Sequence, residues 1–156
     1  MRTTSFVLLA ILSVTAVRLM AAQGGLTQAQ RDAILGYPLT LDRANHLIAA
    51  MSGISQYLVS QPDFKERLAQ SAKLSAADQA ARMEKDPKIS GILKENNLTA
   101  RDYIVGVPTL RMALLAAQGL DSPNVVASPA NVAFAKANLT QLKPKMDQAD
   151  GLGRGK

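Results

Sequence analysis

The chain contains no cysteine and no tryptophan, and only three Phe and three Tyr in 156 residues. The missing cysteines exclude a disulfide scaffold, a thiolate metal site and a cysteine nucleophile. They also point away from small secreted eukaryotic domains, which are commonly disulfide-stapled, and towards a bacterial periplasmic protein. There is a single histidine, His46, which would be the only conventional base, and no G-x-S-x-G elbow, so the serines show no nucleophile arrangement. No glycine-rich phosphate loop and no metal-ligand cluster is present, and no cofactor is expected. Acidic residues are few, three Glu and nine Asp. Aromatic residues are too sparse, and Lys and Arg too dispersed, for a nucleic-acid surface.

The first residues carry a targeting pattern. Arg2 supplies a positive start, Phe6 to Val17 is an uncharged and mostly apolar run, and Ala21-Ala22 offers small residues for cleavage. The run is too short to span a bilayer and Arg18 ends it. A cleaved signal peptide over 1–22 is therefore expected, with no membrane anchor afterwards and a periplasmic or secreted destination. No Cys stands at a lipidation site. Arg2 and Arg18 leave with the leader, which takes the formal charge from +6 to +4.

The remainder reads as helix throughout, with no sustained period-2 alternation. Thr27 caps a first helix to about Leu35. Thr40 opens a longer one in which Leu41, Ala44, Leu47, Ile48, Met51, Ile54 and Leu58 share a face. Phe64 and Leu68 mark a brief helix after Pro62. Ser75 with Asp78, Asp86 with Pro87, and Thr99 with Asp102 are three further start signals. Ser128-Pro129 opens the last helix, which Lys143-Pro144 is expected to close. The reading divides the chain into a leader (1–22), a helical domain (23–145) and a flexible polar tail (146–156).

The segment from about 100 to 118 is apolar all round, with Tyr103, Val107, Leu110 and Leu114 on one side and Val105 and Met112 on the other. Such a helix is buried on every side. The expected fold is thus all-α: a single irregular bundle built around this central helix, which Pro108 should kink.

Arg111 interrupts that helix, and Gln118 shares its face seven residues on. A buried guanidinium must be paired or it is costly. One reading makes Arg111, Gln118 and Tyr103 a ligand site for a small apolar or anionic molecule. The other pairs Arg111 with a carboxylate such as Asp102 or Asp121, or extends it to the surface. His46 and Asp42, four residues apart, can meet on one helix side away from the apolar face, which favours a surface pair over a site.

Two resemblances follow from short motifs. The stretch Asn97-Leu98-Thr99-Ala100-Arg101-Asp102-Tyr103, with Ser128-Pro129-Ala130-Asn131-Val132-Ala133-Phe134, resembles small secreted helical bacterial proteins of unknown function. That resemblance covers about the last 50 residues and implies a periplasmic helical domain without an activity. Leu26-Thr27-Gln28-Ala29-Gln30 is similar to the LT-x-x-Q motif of periplasmic stress adaptors and chaperones of the Spy and CpxP kind, and Leu98 to Asp102 resembles a second copy ending in Asp. It implies a cradle-shaped dimer holding unfolded clients. Three functions are carried forward: a non-enzymatic exported binding or interaction protein with a protein partner or small ligand, an LT-x-x-Q adaptor, and a cofactor-free enzyme using carboxylates or His46.

Overall fold

Six of the seven described helices start where a short polar side chain accepts a backbone N–H that the helix leaves unpaired; the short helix from Phe64 is the exception. In this computed structural model, which describes residues 26–152 apart from 72 and 121, seven α-helices follow one another. They are α1 (Gln28–Gly36), α2 (Leu41–Val59), α3 (Phe64–Ser71), α4 (Ala76–Lys85), α5 (Pro87–Glu95), α6 (Ala100–Ala117) and α7 (Pro129–Leu152). The described residues contain no strand. The expected leader, 1–22, lies outside the described residues, as do 153–156.

The caps fall where the sequence placed them. Thr27 accepts from Gln30 N at 3.2 Å while Gln30 Oε1 accepts from Thr27 N at 2.8 Å, a complete capping box. Thr99 and Asp102 repeat it at 3.0 and 3.1 Å. Thr40 accepts from Arg43 N, Ser75 from Asp78 N, and Asp86 from both Lys88 N and Ile89 N, with Pro87 in the first turn. Each such cap stabilises its helix by about 1 kcal/mol.

The central position of α6 is also observed: it touches α1, α2, α4, α5 and α7. Its two-sided burial has two sources. Val107, Leu110 and Leu114 join the main core with Leu47, Met51 and Leu142. Met112 instead enters a small second cluster with Ile34 of α1 and Val126. The helix continues across Pro108, and Thr109 Oγ1 donates to Val105 O at 2.7 Å. Gly106 lets neighbours reach the backbone: a Cβ there would lie 2.8 Å from Leu47 Cδ2 and 2.9 Å from the Tyr37 hydroxyl.

Two expectations need correction. Leu41, assigned to the core face of α2, is 39% exposed. It is the first helical residue, and the core contact at this end is made by Leu39 and Ala44, which flank the Thr40 cap as a hydrophobic staple does. The second correction is larger. α7 does not close at Lys143-Pro144 but runs on to Leu152, so residues 146–152, read from the sequence as part of the tail, are helical. Pro144 is exposed, so the carbonyl of Thr140, deprived of its donor, also faces the solvent side. Burial of Leu142, Met146 and Ala149 on the opposite side holds the helix together across the proline.

Candidate functional site

Arg111 projects from the middle of α6 towards the C-terminal end of α7. Its partner is Asp150, whose Oδ1 accepts from an Arg111 Nη in a short charge-assisted bond. The two side chains are 14% and 16% exposed, so the pair is mostly withdrawn from water. The same Nη lies 3.8 Å from Met51 Sδ on α2. Nε is buried and has no partner among the described residues. A guanidinium carries five N–H donors in a fixed plane, and here a single carboxylate oxygen does most of the work of compensating it.

Tyr103, two turns before Arg111, belongs electrostatically to the same place. Burial is the main reason its phenol is pushed up to about 12; Arg111 pulls the other way and Asp150 reinforces the rise. The structure thus brings Tyr103 and Arg111 into one environment and adds Asp150 and Met51. Gln118 is not part of it. It caps the end of α6, is exposed, and bonds back to Leu114 O at 2.8 Å. Nor is Asp102 the partner of Arg111, because the Thr99 capping box engages it; Asp121 lies outside the described residues.

Three other polar groupings have structural explanations. His46 Nδ1 stands 3.8 Å from Asp42 Oδ2 across one helical turn, with Asp42 86% exposed, a surface pair. Asp86 caps α5, accepts from the Tyr57 hydroxyl at 3.2 Å, and stands 3.8 Å from an Arg67 Nη. Arg67 also bonds Asp63 at 2.7 Å and holds that carboxyl below its usual range. This cluster ties α3, which buries no residue completely, to the α2, α4 and α5 region.

The third grouping escaped sequence reasoning. Asn131, in the first turn of α7, is 3% exposed. Its Oδ1 accepts from Leu39 N at 3.1 Å and its Nδ2 donates to Tyr37 O at 2.8 Å. One amide thereby satisfies both edges of the α1–α2 connection, from 92 residues away. Its own N–H bonds Ser128 Oγ at 3.2 Å, so the cap of α7 and the clamp on the loop are one unit. Only the quoted Ser-Pro-Ala-Asn run hinted at it, since nothing local reveals which loop an amide will meet.

Among the described residues, no three His, Asp or Glu side chains gather as metal ligands would, and no helix is long and apolar enough to cross a membrane. No protein-family model, curated protein or solved structure matches this chain.

Proposed function

We propose that this chain is an exported, non-catalytic helical binding protein whose site centres on Arg111 and takes a small amphipathic anion. Export rests on the pattern of Arg2, the apolar run Phe6 to Val17 and Ala21-Ala22. One observation carries the binding role: a mostly buried guanidinium whose Nε has no partner among the described residues, beside the phenol of Tyr103 and the thioether of Met51. A cation walled by apolar side chains matches a ligand with one anionic end and an apolar body.

Support for binding over catalysis comes from how the acidic groups are used. Asp78, Asp86 and Asp102 engage helix starts, and Asp150 pairs with Arg111. The two LT motifs both form capping boxes. Helix chemistry accounts for them, so the adaptor reading gains no separate support.

The test is native mass spectrometry of the protein expressed with its own leader and recovered from the exported fraction. A polypeptide mass matching residues 23–156 is expected, with an added small-molecule mass that vanishes on unfolding and is missing from Arg111→Met. An uncut chain overturns export. A wild-type protein without adduct, or one whose adduct survives Arg111→Met, overturns the site.

A further inference from the structure

The helix that completes the Arg111 environment is divided by a proline. Pro144 has no N–H to give Thr140, so the continuous helix α7 lacks one rung of its hydrogen-bond ladder at this point. Beyond that point the helix has eight residues, 145–152, of which Met146 and Ala149 are buried. Asp150 stands in the last turn, where the helix dipole disfavours an anion, and that turn has no basic residue of its own. Arg111 supplies the missing cation from α6. The other polar ties of the segment lie on the surface: Lys143 to Asp147 at 2.5 Å, and Lys145 Nζ to Asn45 Oδ1 at 2.8 Å.

We infer that residues 145–152 form a latch that opens at Pro144 independently of the bundle, with Asp150 standing in for the carboxylate of an external ligand at Arg111. Opening exposes the guanidinium together with Met51 and the apolar wall from which Met146 and Ala149 withdraw. An external carboxylate with an alkyl body then replaces both parts of the latch: its anion takes the place of Asp150, and its chain takes the place of Met146. Nε, without a partner among the described residues, adds a second donor that a free carboxylate can orient itself to reach, whereas Asp150 contacts only the Nη side. This ligand assignment rests on the proposed binding role; the latch itself does not.

Hydrogen exchange of the full-length purified protein tests the latch without any ligand. Amides of Lys145 to Leu152 should exchange as one unit, about tenfold or more faster than those of Asn131 to Leu142, with the step at Pro144. Pro144→Ala should abolish the step by restoring the ladder. Simple fraying gives a different pattern, a gradual rise towards Leu152 with Lys145 to Gln148 as slow as the preceding turns. That pattern overturns the latch.

Decanoate, followed by calorimetric titration, tests the ligand class. Asp150→Asn should bind it about tenfold more tightly than wild type, because a competing charge is removed, and Arg111→Met should lose binding. Equal affinity in wild type and Asp150→Asn overturns the stand-in role of Asp150 even where the exchange step is present. Circular dichroism of each variant confirms the fold, and the wild-type exchange profile stands whether or not a variant folds. If wild type carries no ligand in native spectra yet shows the exchange step, the binding role fails and the latch survives.

Discussion

Replacing Asn131 with Ala removes one side chain and orphans two backbone groups on a distant loop. The amide orientation is fixed by its partners: Leu39 N can only donate and Tyr37 O can only accept, so Oδ1 must face the first and Nδ2 the second. Leu39 is buried, and its N–H would have no partner after truncation. Such a loss costs roughly 1–3 kcal/mol. Tyr37 is half-buried, so its carbonyl can recover a water and should lose only about 1 kcal/mol. The expected destabilisation is about 3 kcal/mol, or roughly 10 °C in Tm for a domain of this size. Urea unfolding followed by circular dichroism measures it directly.

Asp at the same position sharpens the test. It keeps the acceptor for Leu39 N but turns a second oxygen towards Tyr37 O. Ionised, it should be at least as damaging as Ala at neutral pH. Protonated, its hydroxyl can donate to Tyr37 O and restore the clamp. Burial and the facing carbonyl raise the folded-state pKa of this introduced carboxyl, so the deficit of Asn131→Asp should shrink as pH falls through that value. A cost below about 0.5 kcal/mol for Asn131→Ala, or an Asp deficit indifferent to pH, would refute the claim that this amide holds the loop.

Glycine substitutions give a paired prediction. Gly106→Ala gains helix propensity but places its Cβ 2.8 Å from the fully buried Leu47, so it should destabilise by about 1–3 kcal/mol. Gly91→Ala on α5 meets nothing within 4 Å and should stabilise by roughly 0.5–1 kcal/mol; urea midpoints compare the two. Arg111→Met leaves Asp150 uncompensated and should cost about 1–2 kcal/mol, below the cost for a deep pair because Asp150 can turn to solvent at the helix end. The double substitution Arg111→Met with Asp150→Leu should recover most of that loss in the same urea titration. In an ultraviolet pH titration, Tyr103 should ionise near pH 12 rather than the ordinary 10. Because its folded-state value is raised, the stability it contributes is intact below pH 10 and is lost as pH climbs from 10 towards 12.

What the sequence revealed and what it hid divide along one physical line. Helix starts depend on residues within one turn, so Thr27, Thr40, Ser75, Asp86 and Thr99 could all be read in place. The all-round burial of α6 was legible too, because apolar side chains on every face of one helix have no other destination. Asn131 was not legible: its function lies in two backbone atoms 92 and 94 residues away. The identity of the partner of Arg111 was hidden for a different reason, and it was the same reason that misplaced the end of α7.

A proline in a helix interior costs about 3 kcal/mol as an isolated propensity, which made Pro144 look like a stop. That figure ignores which side of the helix the proline occupies. At Pro144 the orphaned carbonyl is on the wet side, while Leu142, Met146 and Ala149 face the core. Burying a Leu or Met side chain is worth roughly 1.5–3 kcal/mol each, enough together to outweigh the local penalty. The pattern 142, 146, 149 was present in the sequence and continues the 131, 135 spacing across the proline. Ending the helix at 143 removed Asp150 from the carboxylates available to Arg111, leaving Asp102 and Asp121 as the nearer choices. Restoring the last turns supplies both the missing anion and the reason the segment beyond Pro144 is the part of α7 best placed to open: two buried side chains, one mostly buried ion pair and two surface polar contacts hold it, with a rung of the helix ladder missing behind it.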